Sequence, residues 1–340
     1  MDTGLVSTAI IDAIAEAGDE PLAPGEPSRY AMPIANLPLI GHVLDEVAGV
    51  GFRTARIVSR RKVLDELEPI VGSGEPWGMT VSYVELPESE GDHGVLAEVD
   101  RALADGPVLL HPAHCLLRAQ MQDMSERFAV DGVDSVISDE LHSITTSASS
   151  GRGIGSTVAI LGASTRDIVR GVLAGSLPQT GLVSALLESS CRIELFGTPN
   201  RWLSADSAES LLALNRTLLD ELPVPPANGN FGESIKVHGR VAVSPGARIV
   251  NSVLHGPVAI GEGSVIQDSF IGPYTAIGED ATITGAEIDN SIVLARAEIS
   301  YPGFRIEGSI IHERSQITRG FDLPRGAHLR LPPGSRITFT

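Results

Sequence analysis

The chain has 340 residues, room for about two domains at roughly 150 residues each, and its 25 Lys and Arg against 43 Asp and Glu give a formal net charge of −18. That balance argues against nucleic acid or an anionic membrane surface as the main partner, because both reward a basic patch. A small phosphorylated ligand needs only a few local cations and stays open.

Hydrophobic residues make up 42% and charged residues 20%, ordinary globular usage, so most of the chain is expected to fold. Aromatics are only 4%, so the core must come from Val, Ile, Leu and Ala. Cys115 and Cys191 stand far apart, in no spacing that suggests a disulfide framework or a thiolate metal site. No apolar run reaches the ~18 residues of a membrane span, and Met1-Asp2-Thr3-Gly4 lacks the basic start of an export signal. The expectation is a cytoplasmic protein.

In chain order, Ser7 as a cap, Ile10, Ile11 and Ile14 on one face and Gly18 as a stop predict a helix at the start. Short apolar runs then alternate with amphipathic segments. Strands are expected at 55–59, 79–85, 108–111, 135–138, 157–161 and 192–196, and helices at 38–47, 61–70, 94–104, 116–128 and 208–222. Such alternation implies a largely parallel sheet with helices on both faces. The Gly151-Arg152-Gly153-Ile154-Gly155 stretch lacks the strand and helix of a dinucleotide fingerprint and reads as a loop. Pro223-Val224-Pro225-Pro226-Ala227-Asn228-Gly229-Asn230 is the natural linker.

Beyond it, small or β-branched residues recur in steps of six at Val241, Ala247, Val253, Ala259, Val265, Ile271, Ile277 and Ile283, slip near Ile288, and resume loosely through Ile299, Ile306, Ile311 and Ile317. Helices do not repeat in sixes; a parallel β-helix does, because each short strand supplies one inward side chain per corner. The glycines after these anchors are expected to supply turn geometry. The organisation expected is an α/β domain over 1–222, a linker over 223–234, a left-handed parallel β-helix over 235–320 and a cap or tail over 321–340.

Several segments carry a resemblance. Pro33-Ile34-Ala35-Asn36-Leu37-Pro38-Leu39-Ile40, then Tyr83-Val84-Glu85-Leu86-Pro87 with Gly91, then the stretch from Trp202 through Leu211-Leu212-Ala213-Leu214-Asn215-Arg216 are similar to segments of sugar-1-phosphate nucleotidyltransferases. The block around Ser269-Phe270-Ile271-Gly272-Pro273-Tyr274 resembles the β-helix of long-form glucose-1-phosphate thymidylyltransferases of actinobacterial type. The resemblance implies a Rossmann-like nucleotidyltransferase domain before the β-helix. It also implies chemistry that joins a nucleoside triphosphate to a sugar 1-phosphate, with a Gly-rich loop, a Lys and two Mg²⁺-holding aspartates.

Against that pattern the chain departs at each catalytic position. Where the glycine-rich loop is expected it has Glu16, Gly18, Asp19 and Glu20; where the Lys is expected it has Arg29. His114 stands at the first metal aspartate and Ser204 at the second, with Asp206 close enough to replace it. Mg²⁺ prefers hard oxygen donors, so these changes imply that standard nucleotidyl transfer is lost. Mg²⁺ is the cofactor only if transfer persists.

His111 and His114 sit just past a strand end, where open α/β sheets bind ligands, and His93 follows Gly91. The three imidazoles could form an acid–base or transition-metal site, or His114 could simply fill the space of a lost ligand. Candidate residues are therefore His93, His111 and His114 for chemistry, Arg29 and Gly91 for nucleotide or phosphate, and Asp206 for metal. The expected function is a divergent thymidylyltransferase-like protein that binds a nucleotide or sugar phosphate, or acts as a scaffold or regulator. It is expected to be a homo-oligomer, with an active paralogue as a candidate partner. The alternatives are an active transferase, with relocated metal ligands or histidine chemistry, and a β-helix acyltransferase using His255 or His312.

Overall fold

A computed structural model describes residues 8–14, 27–130, 132–139, 157–175, 181–197, 203–222, 230–231 and 234–319. The loop at 151–155, the acidic stretch at 16–20, Trp202, the stretch 223–229 of the linker and the segment 321–340 lie outside the described residues.

The first half is built on a mixed sheet of seven strands. They are β1 (Thr8–Asp12), β2 (Thr54–Ser59), β3 (Thr80–Glu85), β4 (Val108–Pro112), and, after the short β5 (Cys115–Leu116), β6 (Ser135–Asp139), β7 (Val158–Leu161) and β8 (Ile193–Gly197). The order across the sheet is β8-β6-β7-β4-β1-β2-β3. All pairings are parallel except those of β7, which runs antiparallel to β4 and β6.

The helix expected at the start is a strand instead. Every residue of β1 is buried, and it lies between β2 and β4 at the centre of the sheet. Ile10 and Ile11 are both at 0% exposure because opposite faces of a central strand are each covered by helices, so a continuous apolar run wins over a helical reading.

Helices α1 (Leu39–Gly49), α2 (Arg61–Val71), α3 (Asp92–Ala102), α4 (Ala119–Phe128), α5 (Arg166–Leu173), α6 (Leu182–Leu187) and α7 (Ala208–Glu221) cover the sheet. One core joins the Ala9, Ile11 and Leu109 face to Leu44, Leu64, Met121 and Leu214 of α1, α2, α4 and α7. The other joins Ile10, Val58 and Leu110 to Val95, Val169 and Leu186 of α3, α5 and α6.

From residue 230 the chain forms three parallel sheets, the arrangement of a left-handed parallel β-helix. Pairing of Arg248 with Val265, and of Val265 with Thr282, gives a rise of 17 residues per coil. The inward positions follow from that number. Leu254, Ile260, Ile266, Ile271, Ile277, Ile283, Ile288, Val293 and Ile299 are buried, whereas Val253 and Val265 are only half-buried. The strict six-residue phase is thus corrected: a 17-residue coil takes one shorter step, and the coil after Ile283 takes two, at Ile288 and Val293, so that Thr282 pairs with Glu298 16 residues on.

The corner glycines also act differently from the expectation. A Cβ on Gly261 would sit 2.6 Å from the Gly278 carbonyl carbon, and one on Gly278 would sit 2.7 Å from the Ala295 nitrogen. Successive coils approach backbone to backbone there, so these glycines permit stacking rather than a left-handed turn.

The two halves share contacts. Asn215 of α7 reaches both, accepting from Ala35 N–H at 2.9 Å and donating to Tyr274 O at 3.0 Å. Asn36 donates to Ile277 O at 2.9 Å, and Arg216 to Asn290 Oδ1 at 2.5 Å.

Candidate functional site

β1 and β4 end side by side, with Asp12 opposite Pro112. The chain then turns: Ala113 N–H donates to Asp12 O at 2.8 Å, and β5 pairs antiparallel with β9 (Leu203–Ser204). In that register Ser204 faces Cys115 and Ala205 N–H donates to His114 O at 2.9 Å. Two segments about ninety residues apart are thereby clamped together. His114 and Asp206 become neighbours, with His114 Nε2 3.9 Å from Asp206 Oδ1.

His114 is buried, while the Asp206 side chain is 42% exposed. The other ring nitrogen, Nδ1, is buried without a hydrogen-bond partner. Burial pushes the His114 imidazole below the usual histidine range; Asp206 opposes this, and His111 and Arg29 add to it. A neutral ring with one nitrogen toward a carboxylate and the other bare has the donor–acceptor pattern of a general base or a hydrogen-bond acceptor for a ligand hydroxyl.

Arg29 closes one side of this cluster. Its Nη1 donates to Ala205 O at 3.1 Å and also to Asp206 O, so the guanidinium holds the turn that carries Asp206. That arrangement places a buried positive charge beside the His114 and Asp206 pair.

His111 lies on the adjoining face of β4, at 0% exposure. Its Nδ1 donates to Pro112 O at 2.8 Å, and Nε2 faces Glu46 Oε1 at 3.7 Å. Glu46 was not among the residues picked out from the sequence. Its buried carboxylate accepts from Leu117 N–H at 3.0 Å and Arg118 N–H at 3.0 Å, binding the entry of α4 to α1. A glutamate three residues after Val43, on the apolar face of α1, was the available signal. Asp12 was likewise passed over; buried at the end of β1, it accepts Ile14 N–H at 2.9 Å.

His93 and Gly91 come from a different element. Both are exposed at the start of α3, after β3, with Gly91 as the cap residue. Among the described residues, no hydrogen bond or ion pair joins His93 to His111 or His114. On the β-helix, His255 stacks edge-on to His238 at 6.1 Å, and His312 follows the strand Ile310–Ile311.

The donors at the resemblance's metal positions are an imidazole, a serine in β9 and one carboxylate. Among the described residues, no group of three His, Cys, Asp or Glu is placed to share a metal ion. Mg²⁺ takes an octahedron of hard oxygens, commonly anchored by one or two carboxylates. This donor set does not fit Mg²⁺. Among the described residues, no helix is long and apolar enough to cross a membrane.

No family model matches the chain. Over 336 residues it is 27% identical to the glucose-1-phosphate thymidylyltransferase of Streptomyces antibioticus, across 91% of this chain and 93% of that protein. A crystal structure of a Bacillus anthracis protein, described as a glucose-1-phosphate thymidylyltransferase in complex with sucrose, matches with a TM-score of 0.52 at 12% identity. That match covers 65% of this chain and 98% of the other, and it speaks to the fold alone.

Proposed function

We propose that this chain is a divergent member of the sugar-1-phosphate nucleotidyltransferase group that binds a nucleotide or sugar phosphate in the crevice at the ends of β1 and β4 without carrying out magnesium-dependent transfer. One observation carries the reading. Where the resemblance expects two metal-holding aspartates the chain has His114 and Ser204, and the β5–β9 pairing leaves Asp206 3.9 Å from His114, which supports the reading.

Joining two anions requires their charge to be neutralised where it develops. Arg29 is the buried cation beside the pair, and its Nη1 already donates to two carbonyl oxygens. It can lower the cost of bringing one phosphate near, but a single guanidinium is a weak substitute for a metal bridging two phosphates. Binding therefore survives where transfer does not. The similarity along nearly the whole chain to a thymidylyltransferase supports a ligand of the same class, a nucleoside phosphate or a hexose phosphate.

The test is calorimetric titration with nucleoside triphosphates and with glucose 1-phosphate, each with and without Mg²⁺. The reading expects saturable binding that Mg²⁺ does not strengthen. Binding that appears only with Mg²⁺ contradicts it.

A second reading rests on the bare, buried Nδ1 of His114. With Asp206 behind Nε2, the ring has the general-base arrangement of a histidine-dependent enzyme acting on a hydroxyl group. Turnover of the bound ligand that is lost in His114→Ala and reduced in Asp206→Asn would favour it over a binding role.

A further inference from the structure

One corner of the β-helix is longer than the others in its column. Strands Arg248–Val250, Val265–Gln267 and Thr282–Thr284 lead to the next strand through Asn251-Ser252, Asp268-Ser269 and Gly285-Ala286. In the following coil, Glu298–Ser300 leads to Arg305–Glu307 through Tyr301-Pro302-Gly303-Phe304, two residues longer. Tyr301 continues the column of left-handed corner residues, with φ 44° after Asn251 at 43°, Asp268 at 50° and Gly285 at 60°.

The insertion presents aromatic surface in a chain poor in it. Tyr301 is 57% and Phe304 63% exposed, and they are the only strongly exposed aromatic side chains among the described residues. Yet the Tyr301 ring is not loose. It lies over Gly285, where a Cβ would come within 2.2 Å of its Cδ1, so the ring is seated on the preceding coil with one face outward.

Two grooves meet at Gly285. One, of about 420 Å³, is walled by Tyr301, Ser300, Thr318 and Arg319; the other, of about 300 Å³, contains Asp268 and Glu287. Arg319 lies across Gly303, whose Cβ would sit 3.5 Å from Nη1. Its guanidinium makes no ion pair with any other described residue, in a chain of net charge −18. The trough thus runs from hydroxyl-accepting carboxylates, past a seated aromatic ring, to an unspent guanidinium.

We propose that this trough binds a phosphorylated sugar. A pyranose places its C–H face on the Tyr301 ring and donates its hydroxyls toward Asp268 and Glu287. Its phosphate takes paired N–H bonds from Arg319. Asp268 suits this role because Asn251 Nδ2 at 2.6 Å and Gln267 Nε2 at 3.0 Å already orient its carboxylate. The site lies on the outer edge of the β-helix, so the proposal stands apart from the reading of the crevice.

The test is equilibrium dialysis of the full chain with labelled glucose 1-phosphate, beside glucose and inorganic phosphate. Arg319→Ala and Tyr301→Ala should each weaken one class of site at least about tenfold, and Tyr301→Phe should retain it. Arg319 is exposed and packs no core, so its variant reads binding even if Tyr301→Ala loosens the coil. Binding in the crevice answers instead to Arg29→Ala and His114→Ala, so failure of either site is separately visible. Isotherms of Arg319→Ala and Tyr301→Ala identical to that of the unaltered chain overturn the proposal. So does inorganic phosphate or glucose binding there as tightly as glucose 1-phosphate.

Discussion

Asn215 Nδ2 donates to Tyr274 O at 3.0 Å while its Oδ1 accepts Ala35 N–H at 2.9 Å, so one fully buried amide spans the α/β half and the β-helix. All three residues fall within segments that carry the sequence resemblance. Their role here is to hold the two halves together. Asn215→Ala leaves one buried and one partly buried backbone group unpaired, and at roughly 1–3 kcal/mol each with partial rescue by water, the expected loss is about 2–4 kcal/mol. The urea midpoint measures it. A loss under about 0.5 kcal/mol would mean that water satisfies both groups.

Acid should weaken the fold before its surface carboxylates titrate. Burial lowers both His42 and His114 below the usual histidine range, so between that range and their folded values the unfolded chain binds more protons than the native one. Stability therefore falls as pH drops below about 6.5 and is retained above it. Asp45, raised by burial, acts with the opposite sign at lower pH, so the slope is best read above pH 5. Denaturant midpoints across pH 5–8 should rise with pH, and the slope should shrink in a His42→Asn, His114→Asn double variant.

Two glycines that look equivalent in sequence should respond oppositely to alanine. At Gly278 the added carbon meets Ala295 N at 2.7 Å and Leu294 C at 2.8 Å, both backbone, so Gly278→Ala should cost about 1–3 kcal/mol. At Gly49, the last residue of α1, nothing lies within 4 Å, and Gly49→Ala should be neutral or stabilising by up to about 1 kcal/mol. Thermal melts of the two variants make the comparison.

The α/β alternation and the β-helix were legible because both rest on local periodicity. The exceptions are instructive. β1 misled because Ile10, Ile11 and Ile14 satisfy helical spacing, and only its neighbours β2 and β4 show that both faces are covered. The six-residue phase misled at Val253 and Val265 because the 17-residue coil is set by backbone stacking rather than by side-chain type. For the site, His114 and Asp206 could be named from the sequence, but their contact depends on the β5–β9 pair, a long-range antiparallel register that no local pattern encodes. The donation from Arg29 to Ala205 O and the Glu46 cap on α4 were equally invisible, since each is a side chain reaching a distant backbone.

Restoring a carboxylate at position 114 should restore affinity for a hard divalent ion. In His114→Asp, a second carboxylate stands beside Asp206, and Mn²⁺ titrated by electron paramagnetic resonance should bind at least about tenfold tighter than in the unaltered chain. Equal Mn²⁺ affinity in the two proteins would show that the imidazole is no handicap and that the metal is held elsewhere.

The most direct measurement is pyrophosphate release across a panel of nucleoside triphosphates and sugar 1-phosphates, with Mg²⁺ and Mn²⁺, beside an active thymidylyltransferase. Under the proposed reading, in which His114 and Ser204 stand where the resemblance expects two metal-binding aspartates and Asp206 lies 3.9 Å from His114, a folded, ligand-binding sample should release no more pyrophosphate than a protein-free control. Robust metal-dependent release would contradict the account and locate the metal on carboxylates other than this pair.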